Sequence, residues 1–451
     1  MSTKNEVFGY LPDERPPLIE LFFFALQQIV VMFPATVLVA LITGFHVSTT
    51  IFASGLATLG FIFITGRKIP LYYGSSFSYI AAIASIMSAE AFTGLSLNDK
   101  ISIAQFGIIM SGFVSIIAGF IIKSSGKETI DKVLPATVTG SIAIIIGLSL
   151  AANAMTNAAS IPVGVAENQI SLAGSLSWLI AIITLISTIM YSVYLKGKLS
   201  QLPILFGLLT GYAAAVILGL ITKIPFITFD TIKNTGFLSI PTFTLPTPSL
   251  TAVIAIMPIA IATIPESTAH VYQLDIYVND LARKKGVSKK YDIENKLGLN
   301  LIGDGIGDII SGFIGGPAGT NYGENISAMA ISKNFSIYVL MAAAVFTMII
   351  SCFTPLINAI YSIPTSVIGG LSIYLFGVIA AQGITIMMDR KVDMFSSKNL
   401  AVIAIILIVG LGGSFGFEGG MIPMFGIELP AIATAAIVGI LLNLLLSIGN
   451  K

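Results

Sequence analysis

Charged residues, cysteine, tryptophan and histidine are all scarce in this sequence. Only 10% of its 451 residues are charged, and it contains one cysteine, one tryptophan and two histidines. A single cysteine excludes an internal disulfide, so we interpret Cys352 as a small packing residue rather than a redox centre. The first 17 residues are polar and acidic, and no basic run leads into a short apolar segment. We therefore expect no removable signal peptide.

Motifs of soluble catalysts are also missing. The sequence contains no HExxH zinc-protease motif and no phosphate-binding loop of the P-loop type. No polar segment is long enough to form a soluble domain for nucleotide hydrolysis. We therefore expect no enzyme, no ATP-driven pump and no cofactor, and nothing indicates a nucleic-acid partner.

Long apolar segments make up most of the chain. Hydrophobic residues account for 55% of the sequence, in runs of about 20 residues, which is enough to cross a hydrocarbon core. We predict an all-α polytopic membrane protein with 14 transmembrane segments in two sets of seven. The first set lies near 18–40, 47–66, 69–89, 102–122, 133–151, 173–195 and 201–222. The second set lies near 250–274, 297–314, 316–332, 335–353, 358–386, 399–415 and 430–449.

The distribution of lysine and arginine supports this count and gives an orientation. With a cytoplasmic N-terminus, 20 of the 23 basic residues fall on the cytoplasmic side, as the positive-inside rule requires. Only Lys100, Lys223 and Lys233 fall outside. We expect a multi-pass protein of the cell membrane with both termini in the cytoplasm. Seven segments per half also force the second half to run opposite to the first, which is a 7+7 inverted repeat.

The third segment is interrupted by LYYGSSFSYI at Leu71–Ile80. Glycine and hydroxyl residues at membrane depth predict a short extended piece followed by a half-helix. Ser75 and Ser76 are expected to cap a helix that begins near Phe77, and Gly74 is expected to let a ligand approach the backbone. A helix that begins inside the membrane presents free N–H groups and its positive dipole end there.

The tenth segment is interrupted at the matching place by GGPAGTNYGENI, Gly315–Ile326. Thr320 and Asn321 are expected to cap a second half-helix that begins near Tyr322, and Gly323 is expected to admit a ligand. Broken helices in corresponding positions of two halves indicate a transporter's binding site. Simple packing kinks remain the alternative.

Five acidic or histidine side chains lie at membrane depth, where they are costly and usually functional. Glu266 and His270 are four residues apart, so we expect the imidazole to hydrogen-bond the carboxylate. Glu324 lies at the start of the second half-helix. Glu266 is predicted to face a ligand, with helix bridging or zinc binding as alternatives. Asp304 and Asp308 are predicted either to hydrogen-bond between helices or to support ion coupling.

These residues resemble the nucleobase-ascorbate transporter family (nucleobase:cation symporter-2) and, within it, the bacterial uracil permeases. The resemblance runs from Arg15 to about Ile448. It is carried by ERPPL at Glu14–Leu18, ATVLV at Ala35–Val39, GSSFSYI at Gly74–Ile80, the pair Glu266 and His270, and TNYGENISAMAISK at Thr320–Lys333. Glutamate at 324 is similar to the uracil permeases, whereas purine-specific relatives usually have glutamine there.

The resemblance implies a core domain, a gate domain and an elevator-like movement of one against the other in a homodimer. The expected parts are a cytoplasmic segment 1–16, core residues 17–123 and 250–353, and gate residues 133–222 and 358–449. It also implies import of a nucleobase, with uracil preferred, by symport with H⁺. Na⁺ remains an open alternative for the driving ion.

Roles for individual residues are implied by the same resemblance. Glu266 accepts hydrogen bonds from the base, the amides of Phe77 and Gly323 donate to its carbonyls, and Glu324 and His270 complete the polar network. The ring faces are covered by aromatic side chains, and further residues support the site or its coupling. The aromatic pair is Phe77 and Tyr322, and the supporting residues are Asp304, Asn325, Ser76, Gln28 and Phe376.

Four positions depart from the family pattern and leave the preferred base open. Gln28 stands where the family usually has histidine, Ser327 replaces a glycine, Ser332 a threonine, and Phe376 a tyrosine. Xanthine, uric acid or another purine is therefore the alternative substrate.

A transporter of anions with the related 7+7 architecture is the alternative from another class, although ionised glutamates at 266 and 324 would repel an anion. The polar linker Ile224–Ser249 is expected outside the cell. The basic loop Leu281–Lys296 is expected inside, in contact with anionic lipid or in a regulatory role.

Overall fold

The computed structural model describes residues 9–125, 132–227, 236–424 and 426–448. Residues 1–8 of the predicted N-terminal segment, 228–235 of the predicted outer linker and the last three residues lie outside this description. The described chain is almost entirely helical, with two small antiparallel sheets of two strands each.

The described part of the first half includes eight α-helices and one strand with complete bounds. Their bounds are α1 Leu18–Thr43, α2 Val47–Ile64, β1 Tyr73–Ser75, α3 Ile80–Ser88, α4 Leu97–Ser125, α5 Ala136–Ser149, α6 Ala151–Ala158, α7 Ile170–Tyr194 and α8 Pro203–Thr222.

The described part of the second half includes nine α-helices and three strands. Their bounds are α9 Leu250–Ile256, α10 Ile259–Lys284, α11 Leu297–Ile314, β2 Gly319–Asn321, α12 Gly323–Ser332, α13 Ile337–Ile350, α14 Thr354–Tyr361, α15 Thr365–Asp389, α16 Ser397–Gly416, β3 Met421–Met424, β4 Ile427–Pro430 and α17 Ala431–Ile448.

Many of these helices have the length and apolar character of membrane spans. Among the described residues, 11 helical segments are long and apolar enough to cross a membrane, and two shorter apolar helices are Phe77–Ser88 and Ile337–Ile350. The predicted span 133–151 is divided into α5 and α6 at Leu150. The predicted span 250–274 breaks at Met257–Pro258, because a proline cannot donate a helical hydrogen bond. Beyond the break, the helix continues past residue 274 to Lys284.

The helices pack in two groups, each of which combines elements from both halves of the chain. In the first bundle, formed by α1–α4 and α9–α13, α11 lies along α4 and α2. In the second bundle, formed by α5–α8 and α15–α17, α15 lies along α5, α6 and α7. Glycines let these backbones approach closely: a Cβ atom at Gly305 would lie 2.3 Å from the Gly112 carbonyl oxygen, and one at Gly383 would lie 2.3 Å from that of Gly140.

The segment Gly9–Glu14, here called the strap, joins the start of the chain to the second half. The Tyr10 N–H donates to the Lys333 carbonyl at 2.8 Å, and the Phe335 N–H donates to the Tyr10 carbonyl at 2.8 Å. Lys285 forms an ion pair with Glu14 at 2.6 Å. The strap therefore fastens α1 to the α10–α11 loop and to the turn after α12.

A second ion pair holds the strap at its exposed edge. Lys289 contacts Asp13 at 2.6 Å and lies 4.7 Å from the centroid of the Tyr291 ring. Partial burial alone would raise the pKa of Asp13. The hydrogen bonds from Lys289 and Tyr291 outweigh that effect and lower the pKa of Asp13 below its ordinary value of 3.8.

We expect Lys289→Gln to lower the free energy of unfolding by no more than about 1 kcal/mol at pH 7, because the pair is solvent-exposed. The depressed pKa of Asp13 means that the pair stabilises the fold above pH 3.8, and that its contribution is lost as the pH falls through the folded-state pKa. Thermal unfolding of the two proteins should therefore converge in acid.

The matched control is Lys290→Gln, since Lys290 is exposed and forms no ion pair within the described part of the chain. An equal loss of stability in Lys290→Gln would contradict the role of the pair.

Candidate functional site

The two interruptions of the membrane segments lie side by side and pair as strands. Strands β1 and β2 are antiparallel, with Tyr73 opposite Asn321, Gly74 opposite Thr320 and Ser75 opposite Gly319. Beyond the ladder, the Ser76 N–H donates to the Ala318 carbonyl at 3.0 Å. This pairing satisfies backbone groups that would otherwise be unpaired in the middle of the first bundle.

The first half-helix begins as the sequence predicts. Ser76 is the N-cap of a single 3₁₀ turn, Phe77–Tyr79, and its hydroxyl accepts from the Ser78 N–H at 3.3 Å. Helix α3 continues from Ile80. Ser75 does not cap this helix, because it lies in β1 and its carbonyl accepts from the Tyr322 hydroxyl at 3.0 Å.

The predicted caps of the second half-helix are wrong. Helix α12 begins at Gly323 behind Tyr322 and has no side-chain cap. Thr320 and Asn321 are held in β2, and the Asn321 amide instead donates to Asp304 at 2.8 Å. The Thr320 hydroxyl lies 3.5 Å from the Ser267 hydroxyl of α10. Both side chains therefore contact α10 or α11 rather than the start of α12.

The two predicted glycines lie against protein side chains. A Cβ atom at Gly74 would lie 2.3 Å from the ring of Tyr322, and one at Gly323 would lie 2.8 Å from Nε2 of His270. The Tyr322 hydroxyl lies 3.0 Å from the Thr36 hydroxyl and also donates to the Ser75 carbonyl. These two contacts hold the ring in position. Tyr322 is buried and closes the space above Gly74.

Glu266 and His270 lie on α10 and face the start of α12. The prediction that they hydrogen-bond to each other is wrong. His270 instead lies against the backbone of Gly323, and its Nδ1 atom has no hydrogen-bond partner among the described residues. Asp304 accepts from Ser267, the residue after Glu266, and Glu324 follows the glycine that His270 contacts, so all three carboxyls belong to one region. Glu266 and Glu324 are both half-buried, which leaves them reachable by a small ligand.

Asp304 is the centre of a polar network that the sequence only partly indicated. It accepts hydrogen bonds from Ser267 at 2.7 Å, from Asn300 at 3.1 Å and from Asn321 at 2.8 Å. Ser267 and Asn300 were missed, although Asn300 shares the helix face of Asp304 by its four-residue spacing. This network ties α11 to β2 and to the residue that follows Glu266.

Asp308 ties the same helix to both strands. Its Oδ1 atom accepts from the Tyr73 hydroxyl at 2.5 Å and from the Gly319 N–H at 2.8 Å. Of the two predicted roles, this geometry is that of a hydrogen-bonding bridge between elements. Participation in ion coupling stays a prediction.

The predicted supporting residues lie around these strands. The Asn325 amide donates to the Gln28 side chain at 2.8 Å, which links α12 to α1. Phe77 and Phe376 meet edge to face, with centroids 6.0 Å apart, across the boundary of the two bundles. Ser327 is exposed, and the Ser332 hydroxyl donates to the Ala328 carbonyl at 2.8 Å.

Two cavities lie between the bundles on opposite faces of the protein. The larger, about 620 Å³, is bordered by Pro265, Thr268 and Ala269, which surround Glu266 in the sequence. The smaller, about 240 Å³, is bordered by Ala81 and Ser85 of α3. The paired strands and Glu266 therefore lie between an opening on each face.

The donor set of this site suits a neutral polar ligand. Half-helix starts offer N–H groups to carbonyl oxygens, and half-buried carboxyls accept from N–H donors. No group of three histidine, cysteine or acidic side chains that could hold a metal occurs in the described ranges. The GGSFG run at Gly412–Gly416 lies inside helix α16, so it forms no nucleophile elbow.

Known proteins match this sequence along nearly the whole chain. The Xan_ur_permease model, described as a permease family, matches residues 19–419. Uracil permease of Escherichia coli K12 is 35% identical over 434 residues, which cover 96% of this chain and 92% of that protein. Uracil permease of Bacillus caldolyticus is 35% identical over 436 residues, which cover 96% and 94%.

The fold is similar to that of a more distant transporter. The murine solute carrier 26 family member A9 anion transporter, in its inward-facing state, has a TM-score of 0.64 at 13% identity over 97% of this chain and 69% of that one. At this identity, the similarity concerns the fold alone.

Proposed function

Because this chain belongs to the xanthine/uracil permease family, we propose that it is a secondary transporter that imports a nucleobase, with uracil preferred, by symport with H⁺. The observation that carries the proposal is the pairing of β1 with β2, which brings two half-helix starts together beside Glu266 and Glu324. The uracil permeases at 35% identity support the choice of substrate.

The chemistry of uracil fits the groups at this site. One edge of the base alternates N–H donors with carbonyl acceptors. In the proposal, Glu266 accepts from the N–H groups, while the amides of Phe77 and Gly323 donate to the carbonyls. Phe77 borders the ring, and Glu324 and His270 complete the polar surround. In this proposal Tyr322 does not cover the base. Its ring fills the space above Gly74 and keeps that glycine in position.

The packing of the helices supports an elevator-like movement. We propose that the first bundle is the core domain, the second bundle is the gate domain, and 14 segments form a 7+7 inverted repeat. All of the strands and carboxyls of the site belong to the first bundle, whereas Phe376 belongs to the second. The cavities on opposite faces follow the boundary between the bundles. Movement of the core along the gate would open the site to each face in turn.

Transport assays test the function directly. Radiolabelled uracil should accumulate in proteoliposomes when an inward proton gradient is imposed, and a protonophore should abolish the accumulation. Unlabelled xanthine, uric acid and adenine serve as competitors. Uptake of a purine in place of uracil would overturn the choice of base but not the site. If no base moves and bicarbonate or sulfate does, the protein is an anion transporter of the related fold. We also propose that the protein forms a homodimer and contacts anionic lipid, and the same proteoliposomes allow both to be measured.

We expect Glu324→Gln to retain uracil binding within about tenfold, since the amide still hydrogen-bonds at the start of α12. Uptake should become less dependent on pH, because a titratable carboxyl next to Glu266 has been removed. The measurement is the pH profile of uptake from pH 5 to 8 for the two proteins. An unchanged profile would remove Glu324 from the coupling step.

A further inference from the structure

The larger cavity is a chamber between the two bundles rather than part of the site around Glu266. Its volume is about 620 Å³. One wall is α10, and the opposite wall is formed by the end of α15 and by α16 and α17. It opens on the face that carries the α10–α11 loop, which is the face predicted to be cytoplasmic. We call this cavity the vestibule.

The wall formed by α10 continues directly from the proposed base site. Thr268, Tyr272 and Gln273 border the vestibule on the same helix as Glu266. At 1.5 Å per residue, Tyr272 lies roughly 9 Å from Glu266 along the helix axis. Six residues also turn the side chain about a third of a turn around the helix from Glu266, so Tyr272 borders the vestibule and not the base site itself.

Tyr272 faces a cation on the other bundle. The guanidinium carbon of Arg390 lies 5.6 Å from the centroid of the Tyr272 ring. Arg390 follows directly after α15, the helix that carries Phe376, and its side chain is exposed. At this distance the guanidinium itself lies over the Tyr272 ring, which shows that the ring face accepts a flat polar group. Because the Arg390 side chain is exposed, a flat heterocycle can take the place of the guanidinium on the ring and receive hydrogen bonds from it.

The charged residues around the vestibule favour some heterocycles over others. Three basic residues border it, against two acidic ones, namely Arg390, Lys391 and Lys398 against Asp389 and Asp393. This balance favours neutral or weakly acidic rings with carbonyl acceptors over cationic ones. The amide of Gln273, which donates to Tyr277 at 3.3 Å, provides a further polar group on the same wall.

We propose that the vestibule is a second, weaker binding site for a planar, uncharged or weakly acidic nitrogen heterocycle, which stacks on Tyr272 in place of the Arg390 guanidinium and accepts hydrogen bonds from it. The proposal rests on the proposed function, since the base that occupies the vestibule is the one transported. Tyr272 and Arg390 lie on different bundles, so movement of the bundles would separate them. The second site would then exist only in the state that opens on this face.

The test uses the full-length protein in which Glu266→Gln has removed tight binding at the first site. A flat heterocycle held by one ring and by hydrogen bonds from an exposed guanidinium binds weakly, so we expect residual uracil binding with a Kd in roughly the millimolar range. Saturation-transfer NMR of uracil with detergent-solubilised protein measures it. Adding Tyr272→Leu should weaken this binding at least tenfold, whereas Tyr272→Phe should preserve it because the ring remains.

Two controls separate this loss from misfolding. Tyr338→Leu changes an exposed tyrosine on α13 and should leave the weak binding unchanged. In the chain with Glu266 intact, Tyr272→Leu should keep the tight uracil affinity within about twofold. If Tyr272→Leu fails to fold, Arg390→Gln at the exposed wall should still weaken the second site at least fivefold.

The possible outcomes separate the two proposals. If Glu266→Gln shows no weak binding although the wild-type protein binds uracil tightly, the vestibule site does not exist. The same conclusion follows if weak binding persists in both Tyr272→Leu and Arg390→Gln. If the wild-type protein binds no base at all, the proposed function itself is wrong.

Discussion

The Glu266→Gln protein is expected to lose tight uracil binding, by about a hundredfold or more. Glutamine keeps the size of the side chain but turns an NH₂ donor toward the N–H groups of the base, where the carboxylate accepted. Leaving such donors unpaired in a half-buried site costs about 3 kcal/mol, and every 1.4 kcal/mol is a factor of ten in affinity. Calorimetric titration of uracil into purified protein measures the loss.

Glu418→Gln is the matched control for this substitution. It makes the same chemical change at an exposed position beyond the end of α16, so uracil affinity should remain at the wild-type value. Retained wild-type affinity in Glu266→Gln, with the protein correctly folded, would falsify the assignment of Glu266 as the acceptor for the base.

Gly74→Ala is expected to have the second largest effect. The added Cβ atom would lie 2.3 Å from the Tyr322 ring, closer than atoms can approach. The ring has little freedom to move, because its hydroxyl is bonded to the Ser75 carbonyl and lies close to Thr36. Such overpacking costs about 1–3 kcal/mol. It would also push apart the two strands that position both half-helices, so uracil affinity should fall at least tenfold together with the melting temperature.

Gly377→Ala is the matched control for that substitution. Gly377 lies within helix α15, and apart from its chain neighbours and the adjacent backbone of that helix, no described atom lies within 4 Å of the position its Cβ would take. Alanine there should leave both stability and uracil affinity unchanged. If Gly74→Ala behaves like Gly377→Ala in both measurements, the contact between Tyr322 and Gly74 does not maintain the site.

The departures from expectation around the half-helices have a common physical cause. The sequence placed Ser76 correctly as a cap, because the hydroxyl and the N–H group it meets are two residues apart. It placed Thr320 and Asn321 incorrectly, because their competing partners come from distant parts of the chain. Asn321 contacts Asp304, and strand β2 exists only because β1 lies beside it. Local propensity cannot weigh such long-range partners.

Local sequence also predicts only part of the helix breaks and of the short strands. The segment 250–274 contains Pro258, so an interruption could have been predicted there. Its extension to Lys284 was not predicted, and the helix ends next to Lys285, which pairs with Glu14 of the strap. The hairpin β3–β4 was missed because its strands are short and have no strong period. Asn300 and Ser267 were missed as well, since each is an ordinary polar residue until Asp304 lies beside it.

The sequence alone determined the class of this protein, its many apolar spans, the positions of the two interruptions and the family to which it belongs. These properties depend on local composition and spacing, which a linear pattern records in full. Only the tertiary structure decided that the interruptions pair with each other, that Tyr322 closes over Gly74, and that His270 faces Gly323 rather than Glu266. Those contacts join residues up to about 250 positions apart, and they form only when the hydrogen-bonding needs of two broken helices are met by each other inside the first bundle.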